Sequence, residues 1–182
     1  MQQREHEPAQ TAYGAIQQRV DGNRSEQPER VQAMSDFYDQ WWDESSPVFD
    51  EYVRLAIGSP VANPTTLNAH DWHDPKGGVP WNQGMIRRDA GGSGFWALQV
   101  AEFGTYRMTF SMRPPEANYE FGKGAIKIKV GDQEIEREIE AGAGQIVIET
   151  ELFAGPTTLQ TWVEEEGKDN RGAYFVTIEK ID

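Results

Sequence analysis

The 182-residue chain contains no cysteine. That absence removes disulfides, thiolate nucleophiles and Cys-ligated zinc together. No apolar run approaches the ~18–20 residues that a membrane-spanning helix needs. The opening Met1-Gln2-Gln3-Arg4-Glu5-His6-Glu7 lacks the apolar stretch of a signal peptide, so none is expected in this chain. Basic residues are scarce: 17 Lys and Arg face 30 Asp and Glu, a formal net charge of −13. Nucleic-acid binders need a basic footprint to displace counterions, and this chain has none. It is equally ill suited to anionic lipid. Neither nucleic acid nor membrane is therefore an expected partner. A phosphate-cradling Gly-rich loop followed by Lys-Ser/Thr is also missing. Gly91-Gly92-Ser93-Gly94 precedes a strand pattern and so has no helix N-terminus to offer an anion.

Aromatic residues, by contrast, are plentiful, with six Trp, six Tyr and eight Phe. The length and apolar content suit one ordinary domain plus an appendage. Residues 1–24 are rich in Gln, Glu and Arg, with only Tyr13, Ile16 and Val20 able to pack. They read as a polar tail, either partly helical or disordered. Residues 25–46 read as an amphipathic helix. Pro28 suits the first turn, and Val31, Met34, Tyr38 and Trp41 recur at helical spacing beside Phe37. The helix should stop between Asp43 and Ser46, ahead of Pro47. Its aromatic end, Phe37, Tyr38, Trp41 and Trp42, should be buried against something.

From Pro47 onward the period changes to two, and residues 47–182 read as an antiparallel β-sandwich of jelly-roll type. Strands are expected at Tyr52 to Ile57, Phe95 to Val100, Thr105 to Met112, Ile126 to Val130, Gln133 to Glu140, Gln145 to Phe153, Thr157 to Val163 and Ala173 to Ile181. No helix is expected after Asp50. The fold class is thus mainly β, preceded by an N-terminal helical segment. The sharpest local expectation is a hairpin about Gly131-Asp132. It sets Lys129 opposite Glu134, Lys127 opposite Glu136 and Ile128 opposite Ile135. Arg137 then falls on the apolar face opposite Ile126, which suits an edge strand or a carboxylate partner.

The densest polar segment is Asn68-Ala69-His70-Asp71-Trp72-His73-Asp74, followed by Pro80-Trp81-Asn82-Gln83. Two His and two Asp within five positions could hold a metal, but H-x-x-H is not the helical spacing of zinc proteases. The plainer reading has His70 and His73 bonded to a loop backbone while Trp72 plugs the core. A third reading makes Trp72 and Trp81 flat platforms for sugar rings, with His70, Asp71, His73, Asn82 and Gln83 reaching the hydroxyls. Trp96 lies within a strand pattern and reads as core. Glu164-Glu165-Glu166 reads as a solvated turn sooner than a calcium site, because neighbouring strand side chains point to opposite faces. No metal ligand set and no catalytic residue is assigned.

Several of these motifs together resemble the C-terminal region of bacterial arylsulfatases, of the sulfatase family. They are Phe37-Tyr38-Asp39-Gln40-Trp41-Trp42, Phe49-Asp50-Glu51-Tyr52, His70-Asp71-Trp72-His73, Pro80-Trp81-Asn82-Gln83, Gly94-Phe95-Trp96-Ala97, Gly104-Thr105-Tyr106-Arg107 and Gly172-Ala173-Tyr174-Phe175-Val176. The resemblance covers roughly Pro28 to Ile181 and implies a β-rich accessory region attached to a catalytic α/β domain. It does not bring the chemistry with it. The family's C-x-P-S-R or S-x-P-x-R motif, whose Cys or Ser becomes formylglycine, is missing from this sequence. Formylglycine and calcium would therefore belong to a catalytic domain outside the chain, in cis or in trans. The resemblance implies a noncatalytic domain, either a piece of a longer sulfuric ester hydrolase or a free-standing unit, of a family often exported or periplasmic. Two other functions stand beside it: a glycan-binding module using loop Trp residues, and a small metal-dependent enzyme at the His70/His73 loop.

Overall fold

A computed structural model describes Gly22 and residues 25–74, 78–114 and 116–182. The tail expected over 1–24 lies, Gly22 apart, outside the described residues. The chain divides into two compact units, Met1–Glu51 and Tyr52–Asp182.

The first unit carries helix α1 (Pro28–Ser45), with Pro28 in its first turn and a 3-10 turn, Ser46–Val48, after it. The helix stops where Pro47 denies it further backbone hydrogen bonds. The aromatic end is not buried. Phe37 is 72% exposed, and Tyr38, Trp41, Trp42 and Phe49 also face outward. Tyr38 meets Trp41 and Trp42 at ring-centre distances of 5.8 and 6.2 Å, and Trp42 meets Phe49 edge-on at 5.3 Å. Helix geometry brings residues three and four apart onto one face, so these rings cover one another in part.

The second unit is the expected β-sandwich. Its strands are β1 (Leu55–Ile57), β2 (Thr65–Asn68), β3 (Phe95–Val100), β4 (Gly104–Ser111), β5 (Gly124–Val130), β6 (Gln133–Ile139), β7 (Ile146–Leu152), β8 (Gly155–Glu165) and β9 (Phe175–Lys180). One sheet has the order β1-β3-β8-β5-β6 and the other β2-β9-β4-β7. Successive strands alternate between the sheets, save the β5–β6 hairpin, which is the jelly-roll manner of wrapping a core. The pairings between these nine strands are antiparallel except β1 on β3.

Period-two alternation fills the space between the layers. Trp96, Leu98, Tyr106, Met108, Phe110, Ile126, Ile128, Leu159, Val163, Val176 and Ile178 are all buried there. Each such side chain contributes roughly 1.5–3 kcal/mol, which is why the pattern dictates register. The hairpin pairs Lys129 with Glu134, Lys127 with Glu136 and Ile128 with Ile135, as the sequence predicts. Gly131 turns the corner at φ +56°, a left-handed conformation suited to the first central position of a type II′ turn. Arg137 faces Ile126 but is exposed, because β6 is the free edge of its sheet.

Three expectations are corrected. The strand expected from Tyr52 is shorter, since only Leu55–Ile57 pairs with β3. Strand β2 was not foreseen: Thr65–Asn68 offers a single buried side chain, Leu67, too little alternation to read. A helix does occur after Asp50, namely α2 (Gln83–Arg87), together with a 3-10 turn at Ala69–Asp71. Both are too short for a 3.6-residue period to show. No helix among the described residues is long and apolar enough to cross a membrane.

An arginine on the inward-facing pattern of an edge strand discourages pairing with a second sheet. Replacing Arg137 with Val should leave unfolding stability within ~0.5 kcal/mol yet raise association with concentration. Light scattering that stays flat across concentrations would assign the protection of this edge elsewhere.

Candidate functional site

The described part of the connection from β2 to β3, residues 69–74 and 78–94, lies at one end of the sandwich and carries the polar segment singled out in the sequence. Asn68 begins it by capping the 3-10 turn. Its Oδ1 accepts from the His70 amide at 2.8 Å, while its own N–H donates to the Asp71 carboxylate at 3.3 Å. This reciprocal box satisfies turn-end amides that would otherwise lack partners. The Trp96 indole N–H donates to the Asn68 carbonyl at 2.9 Å, tying the turn to the core. Farther on, Asn82 Oδ1 accepts from the Met85 amide at 2.9 Å and starts α2.

Trp72 lies beneath the loop. It is 5% exposed and packs edge-on to Trp96 at 5.5 Å and against Tyr174 at 6.0 Å. Two glycines from distant segments make room for it. A Cβ on Gly94 would lie 2.5 Å from the Trp72 Cβ, and one on Gly172 would lie 2.6 Å from the indole ring. Of the two readings of Trp72, the plainer one holds: it is a core plug and not a ligand platform. Its indole N–H is buried with no partner among the described residues.

Trp81 is the opposite case, 71% exposed. With Asn68, Ala69, His70, Pro80, Asn82, Gln83, Ile86 and Phe175 it lines an open cleft of about 230 Å³. Four of the seven residues marked from sequence, His70, Trp81, Asn82 and Gln83, are thus brought together. The other three are not. Asp71 closes the capping box and Trp72 is core. His73 exchanges both backbone hydrogen bonds with Phe95 and lays its ring 4.6 Å from Tyr52. Among the described residues, no group of three or more His, Cys, Asp or Glu is placed to hold a metal ion. Asn68 belongs to the polar segment singled out in the sequence, although it was not marked as a contact; Ile86 was missed because α2 was not foreseen, and Phe175 because it comes from the distant strand β9.

The polar balance of the cleft follows from local folding. Asn68 and Asn82 spend their side-chain oxygens on caps, and the Gln83 oxygen accepts from Arg87 at 3.3 Å. What the amides keep for a ligand is their NH2 groups, together with one oxygen lone pair each on Asn82 and Gln83. The His70 imidazole has no partner among the described residues. The cleft therefore offers one flat apolar ring and a set of donors, a combination suited to a ligand with an apolar face and oxygen acceptors.

A charged cluster stands behind the loop. Arg171 is 1% exposed and ion-paired to the buried Glu165 carboxylate, which also accepts from the Gly122 amide at 2.6 Å and from Lys168 at 3.0 Å. Glu165 is therefore no part of a solvated turn, a correction to the reading of Glu164-Glu165-Glu166. Its exposed neighbour Glu164 accepts from Asn170 at 3.1 Å. Tyr119 donates to Glu165 and receives from Arg171 and Lys168. Asp89 receives Arg113 at 2.6 Å and lies 3.9 Å from both Lys168 and Arg171. Burial pushes the Glu165 pKa up, but the Gly122 amide, Lys168 and Arg171 outweigh it and hold the carboxyl below its ordinary value.

No protein-family model matches the chain, and no curated protein matches it. Solved structures are similar in part. A ruminal GH26 endo-β-1,4-mannanase shares 15% identity over 73% of this chain and 27% of its own, with a TM-score of 0.43. A Podospora anserina GH26-CBM35 β-(1,4)-mannanase shares 13% over 66% and 28%, with a TM-score of 0.41. A family 35 carbohydrate-binding module from Clostridium thermocellum shares 13% over 66% of this chain and 100% of its own, with a TM-score of 0.40. The matched part of this chain spans little more than a quarter of either mannanase. Similarity at this depth carries no argument about ligand or activity. Fold and cleft together define a β-sandwich with a donor-lined aromatic cleft at one end.

Two expectations follow. Trp72→Ala should cost about 3–5 kcal/mol in chemical denaturation, whereas Trp81→Ala should stay within ~0.5 kcal/mol; equal effects would contradict the two assignments. The depressed Glu165 pKa gives stability that is fully present above the unfolded glutamate value of ~4.3 and lost as pH falls through the folded value. Thermal midpoints measured from pH 6 downward should therefore fall more steeply for wild type than for Glu165→Gln, and parallel curves would remove the ion pair as the cause.

Proposed function

We propose that the second unit is a noncatalytic glycan-binding module whose platform is the Trp81 indole. The observation that carries this reading is the exposed Trp81 ring on a cleft of about 230 Å³ whose uncommitted amides are donors. A sugar ring has an apolar face of C–H groups and a rim of hydroxyl oxygens. The first suits an indole face and the second suits the amides of Asn68, Asn82 and Gln83. The volume lies below the ~300–1,000 Å³ of pockets for drug-sized ligands, so the cleft suits a short length of glycan. The net charge of −13 keeps a long polyanion at a distance.

A second reading rests on a different observation, the outward aromatic face of α1. On this reading the chain is an accessory region that packs on a catalytic domain, in cis or in trans, and the motif resemblance makes that domain a sulfatase. The glycan cleft would then serve the partner's substrate. The metal-dependent alternative receives no support from the placement of His70, Asp71 and His73.

Titration with neutral, uronate-bearing and sulfated oligosaccharides should produce a saturable change in tryptophan fluorescence for at least one class. Truncating an aromatic anchor at a binding site costs about 2 kcal/mol or more, so Trp81→Ala should weaken that binding at least ~30-fold. The absence of a saturable response to every class would end the glycan reading. The accessory reading is tested by mixing the chain with a separately expressed sulfatase catalytic domain. Co-elution that Trp41→Ala abolishes is the expected result, and independent migration at micromolar concentration would oppose it.

A further inference from the structure

Helix α2 ends in a Schellman motif. The Ala90 amide donates to the Met85 carbonyl at 3.0 Å and the Asp89 amide to the Ile86 carbonyl at 3.1 Å. The residue in the left-handed position of such a motif is usually glycine, because a Cβ is disfavoured there. This chain has Asp89 instead, at φ +51°, the only non-glycine residue with positive φ among the described residues. Glycine would suit the backbone better, so an aspartate in that position points to a role for its carboxylate.

That carboxylate is where the charged cluster reaches the end of α2. Arg113 donates to Asp89 at 2.6 Å and, through the same nitrogen, to the Arg87 carbonyl of α2 at 3.3 Å. The guanidinium is held in turn by the Met112 carbonyl at 2.8 Å and by the Tyr119 ring, 4.9 Å away. Lys168 and the buried Arg171 approach Asp89 from its other side. The Tyr174 hydroxyl, itself in the core, donates to the Ala90 carbonyl. The C-terminal end of α2 is thus fastened at Arg87, Asp89 and Ala90 to groups rooted in the sandwich. Trp81, Asn82 and Gln83 stand at its other end.

We propose that Asp89 is a positioning residue of the cleft, its carboxylate clamping α2 to Arg113, Lys168 and Arg171 so that Trp81, Asn82 and Gln83 form a fixed wall. The positioning of α2 stands on geometry alone, and its use for glycan rests on the function proposed above. Pre-organisation of this kind raises affinity by ordering the site before the ligand arrives.

The sign of one substitution separates the clamp from a backbone role. Asp89→Gly relieves the left-handed conformation while removing the carboxylate. If Asp89 served only as a turn residue, the variant would tighten the end of α2. If it is the clamp, the variant loosens it. Amide hydrogen exchange on the ligand-free full chain reads this directly at Arg88, Asp89 (or its replacement) and Ala90, with Leu98, Ile128 and Leu159 as core references. Charge-assisted bonds to partly buried groups correspond to at least about ten-fold in a local opening equilibrium. We expect exchange at the end of α2 to accelerate by that factor in Asp89→Gly and Arg113→Met, with the references changed less than about two-fold and with partial recovery in Arg113→Lys. Unchanged or slower exchange in Asp89→Gly overturns the proposal. Acceleration by one common factor throughout the sandwich also overturns it, since that marks general stability. Local loosening in a protein whose wild type binds no oligosaccharide leaves the clamp standing and rejects the glycan reading alone.

Discussion

The arrangement of the loop end depends on one ion pair, Arg171 with Glu165, buried at the end of a core that is otherwise apolar but for Thr161. Each charge alone would be costly to remove from water, so each obliges the other to stay. Neither strand geometry nor packing fixes the β2–β3 connection by itself. It is fastened because Arg171 also faces Tyr119 and Asp89, and because Arg113 and Lys168 complete the set. The sandwich supplies a rigid wall, and the ion pair supplies the peg from which the cleft hangs.

Trp72 performs the same service by dispersion. It fills the space under the loop that Gly94 and Gly172 leave open. The two tryptophans of the connection thus divide the work, one inside as foundation and one outside as surface. Their separation explains how a polar, irregular segment can present a fixed aromatic ring: its backbone groups are capped by Asn68 and Asn82, and its underside is apolar.

Much of the sandwich was legible because its signals are local. The β5–β6 register could be read from a Gly-Asp turn flanked by Lys, Glu and Ile at matched distances. The burial of Trp96 could be read from the alternation around it. The cleft was legible only in part. Trp72 and Trp81 sit in equally loop-like sequence, and what distinguishes them is two glycines 22 and 100 residues beyond Trp72. Glu165 looked solvated because its partner, Arg171, lies across a turn that adjacency along the chain does not reveal. Asp89 carried a faint signal of its own, an aspartate after Arg87-Arg88 where a helix end would favour glycine, but α2 is too short for its end to be recognised.

The order of strands also governs how the molecule can be assembled. β9 is an interior strand of its sheet, flanked by β2 and β4, and Thr65 pairs with Ile178 across more than a hundred residues. Only the β5–β6 hairpin forms from near neighbours. During synthesis the four-stranded layer therefore stays open down its middle until Lys180 has left the ribosome. Such non-local closure is slow, and the half-built layer exposes its strand edges meanwhile.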